Sequence, residues 1–498
     1  MTTEPPITDQ GSVHSGGKED INMNNNAKPG GDKQPGRAGV RSGGRKSLPS
    51  PITSARSNPA ADNRNMRRII AEDPDWSLAT VPLLTELCVS HVVNKFAEHP
   101  KLDELLPKYK AKVLEKISTD LPLNVVAHLV SDEGYWERRC KSRWQVCDVS
   151  KFDGSWKRMF FERHLEHIVE HFVPETTDLT ELNATLPLAS PYIKRLNIKQ
   201  LLPPVKEELA KQVEDVSDAG SDAGLDGPSM DHFEFSLVTQ KLPHLQELRI
   251  TYGVQDCGMN FEWNLFQFTS RDCQLLSKCL KACRSLKIFQ LHRSKVDDDK
   301  VRVLIAHILD HPSLQELDLS HNMIGDSGAR AVGKLLNGHC VLKKIDLSNN
   351  RIRANGAGAI GHALAKNTSL KYLNIRLNRM GDEGGQALCR ALIKNSTLEE
   401  LNVGSNDLTE PTAAIMAQVV INNITLRRVN LSCNRLGPDG GKQLQEGMEE
   451  NKTILELDLR LTEVGQESEY CINQILKKNQ ERERELQLME KEKNSLDR

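Results

Sequence analysis

An α/β solenoid is the fold class that the sequence predicts for its C-terminal half, and three observations predict it. Apolar starts recur at Leu286, Leu314, Leu342, Leu370, Leu398, Leu426 and Ile454, each 28 residues after the last without a slip. Within a unit the pattern is L-x-x-L-x-L-x-x-N-x-L, as in Leu314, Leu317, Leu319, Asn322 and Ile324. The second part of each unit carries i, i+4 apolar pairs such as Val332/Leu336 and Ile360/Leu364, the spacing of one helix face. A sustained fixed period signals stacked units, each burying the face of its neighbour.

Each position in the unit has a physical role. The apolar residues at offsets 0, 3 and 5 point one way from a short strand and turn, and stack into a continuous core. Offset 8 holds Ser294, Asn322, Asn350, Asn378, Asn406, Asn434 and Thr462, short polar side chains able to bond the backbone of adjacent turns as a structural ladder. Offset 14 is Gly328, Gly356, Gly384 and Gly440, with Thr412 as the exception, and is read as the turn into the helix. This is the leucine-rich repeat. A 28-residue unit with a full helix resembles the ribonuclease-inhibitor class, which implies a concave parallel sheet with helices outside. An earlier copy begins at Leu245, 41 residues before Leu286, so it carries 13 extra residues.

Upstream, residues 1–62 contain nine Gly, seven Pro, seven Ser, no aromatic and a single leucine, and are expected to be a disordered tail. The stretch Gly39 to Ser47 has one residue too many before Lys46 to be a phosphate-binding loop. Residues 63–190 are read as a small helical domain, because eleven of the 22 aromatics lie between Trp76 and Phe172 and prolines punctuate short apolar-periodic runs. Leu106-Pro107, Leu121-Pro122, Tyr135-Trp136 and Trp144 follow an order that resembles the F-box domain. Ile193, Leu196, Ile198 and Leu201 make 191–204 a possible first repeat strand. Residues 205–240, with nine Asp/Glu against Lys206 and Lys211, are read as an acidic flexible loop. The solenoid then spans 241–476, and 477–498 is a charged helical tail.

Composition narrows the function. Lys+Arg total 66 against Asp+Glu 68, which gives no basic excess for nucleic acid or membrane surfaces. Eleven irregularly spaced cysteines and the lack of a long apolar run fit a soluble intracellular protein. His164, His167 and His171 lie near one helical face, but no carboxylate or cysteine joins them at ligand spacing, so no metal site is expected. Cys140/Cys147 and Cys279/Cys283 are not CxxC pairs, and no catalytic motif or cofactor signature is present.

Binding is therefore the expected activity. The strand positions not devoted to the core, offsets 1, 2, 4, 6 and 7, carry mixed charge, including Lys343, Lys344, Tyr372, Arg376, Arg427 and Arg428, and suit a protein partner selected by charge register. The aromatic insertion Phe261, Trp263, Phe266 and Phe268 is read either as a docking patch or as a cap over the solenoid's N-terminal edge.

Several stretches are more specific than the repeat: Met66 to Pro74 (MRRIIAEDP), Tyr135 to Cys140 (YWERRC), Gly154 to Leu165 (GSWKRMFFERHL), Cys257 to Phe266 (CGMNFEWNLF) and Arg293 to Lys300 (RSKVDDDK). They resemble the T-complex-associated testis-expressed family, leucine-rich-repeat subunits of the nexin–dynein regulatory complex, from about residue 63 to 476. The resemblance implies a non-enzymatic cytoskeletal scaffold in the axoneme of motile cilia and sperm flagella. Its partners would be other complex subunits and, indirectly, doublet microtubules. The solenoid would hold partners in register while the helical domain docks elsewhere. Two rivals are an F-box substrate receptor of a ubiquitin ligase, using 106–144, and a GTPase-activating solenoid delivering an arginine such as Arg293 or Arg376.

Overall fold

The computed structural model describes residues 66–68, 80–204, 231–260, 263–338 and 341–496. Two short strands, β1 (Met66–Arg68) and β2 (Thr80–Pro82), pair with each other. The described residues from Pro82 onward form one compact unit.

That unit opens with six helices: α1 (Leu84–Asn94), α2 (Pro107–Lys116), α3 (Leu123–Leu129), α4 (Glu133–Arg143), α5 (Trp156–Glu170) and α6 (Thr180–Ala189). Their starts follow local chemistry. Pro107 stands at the first position of α2, where its missing N–H costs nothing, and Asp132 and Ser155 cap α4 and α5 by accepting backbone N–H groups. Tyr135, Trp136, Phe160 and Phe161 are buried together, and the Trp136 indole donates to the Val130 carbonyl at 2.9 Å.

The sheet has nine parallel strands in sequence order. They are β3 (Arg195–Ile198), β4 (Glu247–Ile250), β5 (Ile288–Leu291), β6 (Glu316–Asp318), β7 (Lys344–Asp346), β8 (Tyr372–Asn374), β9 (Glu400–Asn402), β10 (Arg428–Asn430) and β11 (Glu456–Asp458). A short helix, α7 (Ser236–Thr239), precedes β4. One helix follows each strand from β4 on: α8 (Ser270–Ala282), α9 (Asp298–Ile308), α10 (Asp326–Asn337), α11 (Ala354–Leu364), α12 (Gly381–Lys394), α13 (Glu410–Asn422), α14 (Gly437–Met448) and α15 (Gln466–Leu496). From β5 onward the register repeats the sequence period: Glu316 pairs with Lys344, Lys344 with Tyr372, and Tyr372 with Glu400. The offset 0, 3 and 5 residues are buried between sheet and helices, as Leu314, Leu317 and Leu319 are.

The structure corrects two local readings. Offset 14 is not the turn into the helix but its third residue in α10, α11 and α13 and its fourth in α12 and α14. A Cβ on Gly356 would stand 2.6 Å from the Asp326 carboxylate and 2.9 Å from the Ala329 Cβ, so glycine lets successive helices approach. Where Thr412 replaces it, the hydroxyl donates to Asp382. The second correction concerns offset 7, expected on a strand. It lies beyond the strand in left-handed backbone at Arg293, His321, Asn349, Leu377, Ser405, Cys433 and Leu461, with φ from 50° to 58°. Such backbone is costly for residues other than glycine, and bonds to the next repeat hold it, as from the His321 N–H to the Ser348 carbonyl at 2.8 Å.

Candidate functional site

Two features hold the solenoid as a rigid surface. Among the offset 8 residues, Asn378 donates through Nδ2 to the Leu347 and Ile375 carbonyls, both at 3.0 Å, while its Oδ1 accepts the Ile352 N–H at 3.0 Å. Asn322, Asn350 and Asn434 repeat this pattern, and Asn406 repeats its donor half, reaching the Ile375 carbonyl at 2.9 Å. At the ends, Ser294 accepts the Tyr252 N–H at 2.9 Å and Thr462 donates to the Leu459 carbonyl at 2.5 Å. A second ladder was missed in the sequence reading. Asn367, Asn395, Asn423, Asn451 and Asn479 stand at offset 25 and bridge helix ends. Asn395 Nδ2 donates to the Leu364 carbonyl at 2.8 Å and its Oδ1 accepts the Leu398 N–H at 2.8 Å. His311 takes the same place two units before Asn367, accepting the Leu314 N–H at Nδ1 and facing the Cys283 carbonyl with Nε2 at 3.1 Å. The signal was legible as Asn-x-Thr/Ser-Leu or Ile at the 28-residue period.

The N-terminal edge is closed by α5. Its glutamates one turn apart accept the outward N–H groups of the first repeat strand. Glu162 takes those of Lys194 and Arg195 at 2.9 and 3.1 Å, Glu166 that of Asn197 at 2.7 Å, and Glu170 that of Lys199 at 2.8 Å. Arg158 also donates to Glu162 at 2.8 Å. Burial pushes the Glu162 and Glu170 carboxyls up, and Glu166 up to about 8, with the neighbouring glutamates adding to that rise. The helical segment is thus the cap of the solenoid rather than a body free to dock elsewhere.

Of the aromatic insertion, only part lies within the described residues. Phe261 lies outside the described residues. Trp263 begins a short turn, Trp263–Phe266. The Phe266 ring lies against Gly253, and Lys295 Nζ is 5.8 Å from its centre. Phe268 is 3% exposed, with its ring 4.5 Å from that of Tyr252, so it belongs to the core and not to a docking patch.

On the concave face, offset 2 aligns charges of opposite sign on neighbouring strands. Arg195 meets Glu247 at 3.4 Å, Lys344 meets Glu316 at 3.9 Å, and Arg428 pairs with Glu400. Lys344 Nζ also stands 5.0 Å from the Tyr372 ring centre. Arg427 pairs with Glu483 of α15 at 2.7 Å, whereas Lys343 and Arg376 are exposed. These partly exposed pairs add little stability, but they leave the middle of the face nearly neutral.

Nothing in this arrangement gathers for catalysis. His164 is buried beside Arg143 at 3.0 Å, and burial drives it down to about 3. The His167 and His171 rings are 4.0 Å apart, and among the described residues no group of three metal-ligating side chains converges. Burial raises the thiols of Cys140, Cys279 and Cys389 to about 12, far from the reactive range.

The leucine-rich-repeat family model matches residues 310–333, 338–361, 366–389, 394–411 and 422–444. The chain is 53% identical over 278 residues to human dynein regulatory complex subunit 5, an alignment covering 56% of each chain. The mouse protein of that name is 54% identical over 263 residues, 53% of each chain. The protein of that name from Chlamydomonas reinhardtii is 32% identical over 221 residues, 44% of this chain and 50% of its own. The match thus spans about half the length of these relatives, and the resemblance read from the sequence motifs is borne out in them. Among solved structures, a leiomodin-1 actin-binding domain matches at a TM-score of 0.31 and 20% identity, covering 34% of this chain and 96% of its own, too slight a likeness to carry weight.

Proposed function

We propose that this chain is a non-enzymatic scaffold subunit of the dynein regulatory complex in the axoneme of motile cilia and flagella, sperm flagella included. The observation that carries this reading is the 53% identity over 278 residues to proteins bearing that subunit's name. The structure supports a scaffold because both ladders and the edge cap hold the solenoid in one shape, leaving a broad surface and no convergent reactive groups.

In this role the chain holds other complex subunits at fixed spacing, contacts doublet microtubules through them, and so shapes the beat that dynein arms drive. The contacts we assign are the exposed concave positions Lys343 and Arg376, with Tyr372, Arg427 and Arg428 around them, and the described part of the insertion ending at Phe266. No observation favours a ubiquitin-ligase receptor or a GTPase activator.

Affinity purification of the tagged full chain from motile-ciliated cells, with bound proteins identified by mass spectrometry, tests the assignment. Recovery of regulatory-complex subunits is expected. Recovery of a ligase core with no axonemal protein would overturn it.

A further inference from the structure

We propose that the strand-to-helix rim of the solenoid, centred on Arg351, Arg353 and Arg379, is a docking site for a short acidic segment of a partner protein. The rim is formed by offsets 6 to 11 of each unit, bordering the neutralised concave rows and sharing Arg376 with them. In the units starting at Leu286, Leu314, Leu342 and Leu370 these offsets hold six Lys or Arg against Asp297 alone, and Asp297 is paired with Lys300. In the last three units they hold Arg435 and Arg460 against Asp407 and Glu463. The positive charge is therefore local to the middle of the solenoid.

Geometry concentrates it further. Arg351, Arg353 and Arg379 line one depression together with His321, Met323 and Asn349. All three arginines are exposed, and none makes an ion pair among the described residues. The fold uses only their backbones: the N–H groups of Arg351 and Arg379 donate to the Ile324 and Ile352 carbonyls, and that of Arg353 to Asp326. The carboxylates nearest the rim are already engaged. Asp326 accepts the Arg353 and Gly356 N–H groups at 2.8 Å each, and Asp298 those of Gly325 and Gly328. At the corresponding place in the next unit the residue is Ala354, which supplies no carboxylate. Three convergent like charges repel one another and do nothing for folding, so their arrangement is explained by an anionic ligand.

The chemistry of that ligand follows from the residue type and extent. Arginine presents a planar fork that matches a carboxylate, where lysine would offer a point charge. Arg351 and Arg379 occupy the same offset in adjacent units, whose strands lie roughly 4.8 Å apart. Alternate carboxylates of an extended peptide are about 7 Å apart, a difference that the long arginine stems absorb. A nucleic acid would want a longer basic track with stacking rings, whereas here the rim carries no net charge over the last three units and the depression holds no Phe, Tyr or Trp side chain. The proposal rests on the scaffold reading only in treating the solenoid as a binding surface, and it holds or fails independently of the axoneme.

The test is fluorescence anisotropy of the full chain with a fluorescein-labelled alternating Glu–Ser peptide long enough to span three repeats. The parent is expected to bind. The triple variant Arg351→Glu, Arg353→Glu, Arg379→Glu should lose at least about tenfold in affinity, while Arg330→Glu on the outer face of α10 changes nothing. Should the glutamate triple melt lower than the parent, the corresponding glutamine triple is read by the same criterion. No binding by the parent, equal binding by a correctly folded triple variant, or tighter binding of a single-stranded oligothymidylate of equal charge would each overturn the proposal. Failure to co-purify with axonemal proteins would instead count against the scaffold assignment alone.

Discussion

The two ends of the sheet are closed by helices of opposite chemistry. At the N-terminal edge, α5 presents carboxylates, and Glu162, Glu166 and Glu170 accept N–H groups from Lys194 to Lys199. At the C-terminal edge, α15 presents amides. Asn479 donates to the Asn451 and Ile454 carbonyls at 3.1 and 2.9 Å, and Gln480 to that of Leu455 at 2.7 Å. Each cap supplies partners for outward backbone groups of the repeat it covers, which would otherwise be buried unpaired. The difference lies in charge and in how far each helix runs on. Glu162 is wholly buried and shares its carboxylate with Arg158, whereas α15 runs on as one helix to Leu496 into solvent. The N-terminal cap should therefore be the more fragile to change.

The largest expected effect breaks that cap. Glu162→Ala leaves two backbone donors without their acceptor and Arg158 with Asp153 alone, and a loss of roughly 4 kcal/mol is expected in urea unfolding of the full chain. A cost no greater than that of a surface substitution would show that the edge finds other partners. Inside the stack, Asn378→Ala removes an amide serving three strand and turn groups, and roughly 3 kcal/mol is expected by the same measurement. At the far end, Asn479→Ala should cost about 2 kcal/mol, since it leaves two neutral carbonyls and no charged group without a partner. If it matched Glu162→Ala, the contrast between the edges would fail.

The smallest effect is one of pH, and it sharpens the contrast because only the N-terminal cap is acidic. Glu166 is raised from 4.5 to about 8, so the native state holds that proton more tightly than the unfolded chain. Its contribution is full below about pH 4.5 and is lost as pH rises toward 8. His164 is lowered from 6.5 to about 3, so its contribution is full above about 6.5 and is lost as pH falls. Glu166→Gln keeps an oxygen for the Asn197 N–H without the charge. It should gain stability relative to the parent between about pH 5 and pH 8, as read from denaturant melts at both values. A constant difference across that range would contradict the assignment.

How much of this was legible in the sequence depends on the range of the signal. The period of 28, the apolar offsets and the Asn ladder at offset 8 are written along the chain, because a solenoid repeats its contacts with its sequence. The second ladder was equally written and simply not read. The row Glu162, Glu166, Glu170 could be seen as one helix face, but no local rule says that its acceptors meet N–H groups some thirty residues onward. The same holds for Phe268, which belongs to a conspicuous aromatic run yet is buried against Tyr252.

The sequence by itself determined the repeat, its register and its relatives, since each follows from order and spacing along one chain. Only the tertiary structure decided which charges neutralise one another across strands and which side chains close the edges. It also left Arg351, Arg353 and Arg379 facing a common depression without an ion-pair partner among the described residues. Those outcomes depend on distances between residues of different repeats, and electrostatics and burial act on distance in space, not on position in the chain.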